Sequence, residues 1–222
     1  ILPGNVASAT AATGYTVDNS CRFNVGRIVR TFGSTSNRRT WTMSVWLKKS
    51  STTTEQNTIS AGNFSGNPYL DARFDATQEM NWYHSEGSGE GFNLITDATY
   101  RDPSAWYNFV FAVDTTQSVA ANRVKLYVNG VQETSFSTED YPNQNFDTSV
   151  NVSGYKTSFG SIRDATPNYA GYMAEIVQID GLQLGPTSFG EFNSDSPTIW
   201  QPIDVSGLTF GTEGAYCDFE DS

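Results

Sequence analysis

Trp41-Thr-Met-Ser-Val-Trp-Leu47 alternates without a break. Trp41, Met43, Val45 and Leu47 share one side of an extended chain, and Thr42, Ser44 and Trp46 share the other. A helix would scatter the same residues around its circumference, so the segment reads as a strand with one strongly apolar face. Trp106-Tyr-Asn-Phe-Val-Phe-Ala-Val113 repeats the pattern, with Tyr107, Phe109, Phe111 and Val113 on one face. Arg123-Val-Lys-Leu-Tyr-Val128 leads into Asn129-Gly130 and then Val131 to Phe136. Asn-Gly supplies the two positive-φ residues of a type I′ turn, which predicts a hairpin of well-fixed register. Val124, Leu126 and Val128 then face the core. Gly171-Tyr-Met-Ala-Glu-Ile-Val-Gln-Ile-Asp180 is apolar on both faces apart from Glu175 and Gln178, as befits a central strand covered on both sides.

Such segments recur at short intervals, separated by Gly, Asn, Asp, Pro and Ser clusters, and no window sustains a helical period. The fold class is all-β, an antiparallel β-sandwich of the jelly-roll kind, in one domain. Ser188-x-x-Glu191 reads as a capping box for one short helical turn. Glu86-Gly-Ser-Gly-Glu-Gly91 reads as a loop tip, and residues 137–154 and 194–206 read as long loops. Aromatic residues make up 14% of the 222 residues, enough to build a core. No apolar run approaches the length of a membrane-spanning helix. The opening Ile1-Leu2-Pro3-Gly4 has no initiator Met and reads as a processed or cut end.

The net charge is −11, which disfavours nucleic acid and anionic membranes as partners. That charge is unevenly placed. Residues 1–50 hold Arg22, Arg27, Arg30, Arg38, Arg39, Lys48 and Lys49 against a single acid, Asp18. The stretch from Arg27 to Arg39 connects two strands and so belongs to the sandwich. It is expected either to pair with the protein's own acidic loops or to dock on an acidic neighbouring copy. Arg27, Arg30, Arg38 and Arg39 are the candidate interface residues.

The chain has one histidine, His84, and two cysteines, Cys21 and Cys217. Multi-His and four-Cys metal sites are excluded, and there is no phosphate-binding glycine loop or nucleophile elbow. No catalytic residue, metal site or cofactor is assigned. Asp71, Asp75 or Asp97 could serve Ca²⁺, but they form no spaced ligand motif. The best local constellation for a sugar is Asn81-Trp82-Tyr83-His84, where aromatic rings meet polar groups. Trp82 and His84 have one strand parity, and Asn81 and Tyr83 the other. The alternative is that Trp82 or Tyr83 simply packs in the core. Tyr69-Leu-Asp71 and Asn168-Tyr169 are weaker rims.

Four of these segments, in this order, resemble the concanavalin A-like lectin/glucanase superfamily in its laminin-G-like form. They are Trp41 to Lys48, Trp106 to Asp114, Val124-Lys-Leu-Tyr-Val-Asn-Gly130, and Tyr169-Ala-Gly-Tyr-Met-Ala-Glu-Ile176. Arg101-Asp-Pro-Ser-Ala-Trp-Tyr107, Ile179-Asp-Gly181, Phe189-Gly-Glu-Phe192 and the tail from Ile199 to Phe219 resemble the versions in virion proteins of tailed bacteriophages. The resemblance implies a laminin-G-like domain over 15–222, after an extension or linker over 1–14. It also implies that Cys21 and Cys217 lie on neighbouring first and last strands, as two free thiols or as one disulfide. Gln178 stands at a place that is usually aromatic in this family.

The function implied is a non-enzymatic structural or adhesive module of a phage virion. Its partners would be other virion subunits, including copies of itself, and a host-surface glycan. The alternatives are a secreted or cell-surface bacterial lectin and, third, a laminarinase-type hydrolase. The hydrolase needs paired carboxylates on one strand face. The nearest pair, Glu175 and Asp180, is five residues apart and points to opposite faces in a regular strand.

Overall fold

The structure, a computed structural model, describes residues 14–24, 26–87, 90–163 and 169–220. Among these residues the strands are β1 (Cys21–Phe23), β2 (Ile28–Thr31), β3 (Thr40–Lys49), β4 (Gln56–Gly62), β5 (Tyr69–Phe74), β6 (Glu79–Ser85), β7 (Glu90–Thr99), β8 (Tyr107–Asp114), β9 (Val124–Val128), β10 (Val131–Gln132), β11 (Phe136–Asp140), β12 (Lys156–Phe159), β13 (Gly171–Asp180), β14 (Gly190–Phe192), β15 (Trp200–Pro202) and β16 (Ala215–Cys217). One sheet runs β1-β13-β3-β8-β9-β10, with β16 also on β13. The second runs β11-β7-β6-β5-β4-β12-β2, and β14 and β15 form a separate hairpin. The described pairings are all antiparallel. This is the jelly-roll sandwich that the alternating segments predict.

The alternation in β3 decides which face goes where. Trp41, Met43, Val45 and Leu47 enter the core between the sheets, with Phe109 and Phe111 beside them and Trp82, Phe92 and Leu94 opposite. Edge-to-face rings join Trp41 to Trp82 and Trp82 to Phe92 and Phe111, at 6.4, 5.1 and 5.1 Å. Much of the other face of β3, β8 and β13 is buried too, under a layer of irregular chain, while Lys48 and Tyr172 at one end of it reach solvent. Val110, Val177 and Ile179 pack there against Phe189 and Val205. Thr42 stitches that layer down, donating to the Leu182 carbonyl at 2.7 Å and accepting from the Leu184 amide at 2.8 Å.

At the Asn-Gly turn, Asn129 and Gly130 have φ of 47° and 82°, as a type I′ turn requires. Its second strand is shorter than expected. β10 stops at Gln132, and β11, in a stretch read as loop, joins the other sheet. The turn at Pro186–Ser188 also differs from the capping-box reading. Gly185 precedes it with no side-chain cap, Pro186 fixes its first φ, and Glu191 lies in β14.

Cys21 and Cys217 are both free. β1 and β16 do not pair with each other. They lie end to end along one edge of β13, with Cys21 opposite Met173 and Cys217 opposite Ile176. The disulfide reading is thus corrected: each thiol packs against the main core as a small apolar group.

Gln178 faces inward opposite Met43 and has polar company. Its amide donates to Asn151 Oδ1 at 3.1 Å and to the Glu213 carbonyl at 3.3 Å. Beside it, Asp180 accepts from Asn151 Nδ2 and from the amides of Asn37 and Glu213. These hydrogen bonds compensate the burial of polar groups at one end of the sandwich.

Lys49 is buried with a neutral partner. Its ammonium donates to Gln78 Oε1 at 2.7 Å and stands 4.0 Å from the centre of the Phe74 ring. Burial pulls its pKa from 10.5 down to about 8. Between those pH values the unfolded chain holds a proton that the folded chain has released, so this group makes stability rise with pH across that window. Below it, the buried ammonium penalises the fold by about 3 kcal/mol. In urea denaturation, Lys49→Met is expected to exceed the parent in stability most at pH 7 and below. That advantage should shrink as pH rises from about 8 to about 10; a constant difference would contradict the assignment.

Candidate functional site

Three of the five tryptophans come together on the outer face of the first sheet. Trp46 is on β3, Trp106 precedes β8, and Trp200 opens β15. With Ala174 and Val17 they form the apolar part of a cleft of about 350 Å³. Asp18, Asn19, Ser20 and Gln201 give it a polar edge. Trp46 and Trp200 are nearly buried, and Trp106 is half exposed. The combination of apolar ring faces with a few convergent polar groups is what a small-ligand site requires.

Trp200 is fixed from several sides. Its Nε1 donates to Asn108 Oδ1 at 3.1 Å, and Asn108, wholly buried, donates in turn to Ser44 Oγ at 3.1 Å. Its ring lies against two glycines: a Cβ at Gly130 would stand 2.4 Å from the indole, and one at Gly190 2.6 Å. Phe192 meets it edge-on at 5.0 Å. The Asn-Gly turn therefore both closes the β9–β10 hairpin and seats a cleft residue.

The wall formed by residues 17–20 is anchored through Glu175. This residue lies at a bulge in β13, where the register with β3 slips between Ala174 and Val177, and its φ is 49°. The carboxylate accepts from Tyr15 at 3.2 Å and from Tyr216 at 2.7 Å, and the two hydroxyls are 3.1 Å apart. Burial pushes Glu175 above the usual carboxylate range, while the two tyrosines pull it back. Asp180 lies on the inner face of the same strand, in the network around Asn151, so Glu175 and Asp180 do not face each other.

The Asn81–His84 constellation is split by β6. Trp82 and His84 point into the core and are fully buried, so a surface ligand does not reach them. His84 Nε2 accepts from the Ser149 amide at 2.9 Å, and burial, assisted by the Arg38 charge, lowers its pKa to about 4. That reading is corrected for both residues. Asn81 and Tyr83 lie on the outer face of the second sheet. There Tyr83 donates to Asp71 at 3.0 Å, Arg73 lies over Tyr83, and Arg163 lies over Tyr69. Asp71 is closed off from solvent, and burial raises it to about 6. Tyr169 is buried in the core, and Asn168 lies outside the described residues.

Asp75, in the turn after β5, accepts from the Thr77 amide and hydroxyl, and Asp97, in β7, accepts from Ser135 Oγ. Asp71, Asp75 and Asp97 do not converge, and no group of three metal-ligating side chains forms among the described residues.

The candidate interface arginines are occupied within the chain. Arg27 donates to the Arg163 carbonyl, Arg30 pairs with Glu213, Arg39 pairs with Asp147 at 2.7 Å, and Arg38 donates to the Thr148 carbonyl.

The described architecture is that of a lectin-like jelly roll. Residues 26–177, more than half of the chain, match the laminin-G-like family of the concanavalin A-like lectin/glucanases superfamily, and the protein belongs to that superfamily. No curated protein matches the chain in sequence. Domain 4 of the GH43 extracellular arabinanase AbnA from Geobacillus stearothermophilus, solved with arabinotriose, is similar at 19% identity and a TM-score of 0.52, covering 79% of this chain and 83% of that one. Domains LG4-5 of the mouse laminin alpha1 chain are similar at 11% identity and a TM-score of 0.53, covering 94% and 48%. The SAP-like pentraxin from Limulus polyphemus is similar at 12% identity and a TM-score of 0.50, covering 77% and 74%. At these identities the likeness is one of fold.

Because Gly130 combines φ of 82° with contact to the Trp200 ring, Gly130→Ala should cost about 2 kcal/mol in urea denaturation. Tryptophan emission should shift to the red as Trp200 is displaced. Unchanged stability and emission would show that the glycine does not seat the ring.

Proposed function

We propose that the protein is a non-catalytic glycan-binding module whose site is the cleft between Trp46, Trp106 and Trp200. The convergence of three indoles beside Asp18, Asn19, Ser20 and Gln201 carries this reading. The C–H face of a sugar ring packs on an indole, and its hydroxyls need short polar side chains at the edge. Trp106 is the partly exposed platform, whereas Trp46 and Trp200 form the floor. The cleft volume is near the low end of the roughly 300–1,000 Å³ of small-molecule sites, which fits one or two sugar rings. Membership of a superfamily described by its lectins and glucanases is consistent with it.

We further infer, from the resemblance of the runs at 101–107, 179–192 and 199–219, that the module is carried on a tailed-phage virion. There it packs against other virion subunits, including copies of itself, and presents the cleft to a host-surface glycan. Mass spectrometry of purified particles would find it, and consistent absence from particles would overturn the virion setting.

On a glycan array the protein should retain a defined set of saccharides. Trp106→Ala should weaken that binding about tenfold or more, equivalent to about 1.4 kcal/mol, with thermal stability close to the parent. Binding that survives in Trp106→Ala would move the site elsewhere.

A further inference from the structure

Of the seven basic residues among the first 50, most are engaged. Arg27, Arg30, Arg38 and Arg39 bind the chain's own carbonyls and carboxylates, and Lys49 is buried on Gln78. Arg22 and Lys48 are different. Neither side chain makes a hydrogen bond or an ion pair with any described residue, in a protein of net charge −11.

Their placement follows from the register. Arg22 pairs with Tyr172, and Tyr172 pairs with Lys48, so the three form one row across β1, β13 and β3. Two residues along each strand, on the same face, stand Ser20, Ala174 and Trp46, which line the cleft. The two rows are therefore about 6.6 Å apart. Tyr172, between the two cations, is 36% exposed. The cleft thus opens onto a row made of an exposed aromatic ring between two positive charges that have no ion-pair partner among the described residues.

We propose that the saccharide bound in the cleft is acidic, and that Lys48 and Arg22 receive its carboxylate or sulfate while its ring packs on the indoles. This rests on the cleft being the glycan site. The charges that oppose an anion here are few. Asp18 is the one carboxylate lining the cleft. Asp102 acts on Lys48 from a distance, and its carboxylate already accepts from the Ser104 amide and hydroxyl at 2.8 and 2.6 Å. Glu191 accepts from Gln201 at 3.0 Å. The guanidinium and the ammonium have donors to spare, and both face solvent beside the cleft.

Calorimetric titration with matched pairs tests this: lactose against sialyllactose and sulfated lactose, and trigalacturonate against its methyl ester. In at least one pair the acidic member should bind about tenfold more tightly, a difference set by charge-assisted hydrogen bonds and reduced by added salt. The carboxylate and sulfate arms show which acid group is received. In the double variant Arg22→Gln, Lys48→Gln the preference should disappear. In Lys156→Gln, which removes a charge from the other sheet, it should persist. Equal affinity within every pair, or a preference that survives the double variant, would overturn the acidic assignment and leave the glycan reading standing. Absence of binding by every probe would overturn both.

Discussion

Asn108 is the one polar side chain in the middle of β8 that both layers of the structure need. It is buried within the sheet; its side-chain amide donates to Ser44 on the neighbouring strand and accepts from the Trp200 indole of the outer layer, while its backbone amide donates to Asn129 Oδ1 in the hairpin turn. A buried amide left unpaired costs about 1–3 kcal/mol, so Trp200 is drawn to one position. Once there, its ring fills the space left by Gly130 and Gly190 and brings the β14–β15 hairpin with it. The sandwich can form from its own strands, but the cleft exists because this link holds the outer layer down.

The sandwich was largely legible in the amino-acid order. Period-two alternation in β3, β8 and β9 names the faces, and Asn129-Gly130 names the turn. Sidedness was harder. The parity that separates Trp82 and His84 from Asn81 and Tyr83 holds in the structure, yet parity does not say which side is buried when both carry an aromatic ring. A histidine in an otherwise polar pattern looks like a surface group, and its partner, the Ser149 amide, is 65 residues away. The cleft was invisible for a related reason. Trp46, Trp106 and Trp200 are spread over most of the chain, and each has a sufficient local explanation as a strand residue. The signal available was a bulky Trp46 on the polar side of β3, which calls for a second covering layer.

The uneven charge has a physical resolution on the fold. Arg30 lies in β2, in the stretch expected to be connection, and Arg27, Arg38 and Arg39 lie in the chain around it. Arg30 meets Glu213, and Arg38 and Arg39 meet Asp147, from the far half of the chain, so the basic first part and the acidic remainder neutralise one another locally. Glu213 shows how closely. Buried beside Arg30, it also accepts from the Gly33 and Ser34 amides and the Ser34 hydroxyl, and those donors hold its carboxyl below the ordinary range. Among the seven basic residues of the first 50, such contacts hold four within the chain and Lys49 is buried on Gln78, which leaves Arg22 and Lys48 as the exceptions in that stretch.

The cleft and the core are built from opposite faces of the same strands. Leu47 and Met173 are core residues, while their neighbours Trp46 and Ala174 line the cleft. The remaining walls, residues 17–20, Trp106 and the β15 residues, lie outside the main core or only partly buried against it. Changes to those walls alter the cleft without touching the packed aromatic rings between the sheets. The bulge at Glu175 supports this division, because the residue it adds turns a carboxylate outward to hold Tyr15 and Tyr216 while Ile176 keeps its place in the core. The cleft walls are thus set apart from the packing between the sheets, which the inner faces of the same strands supply.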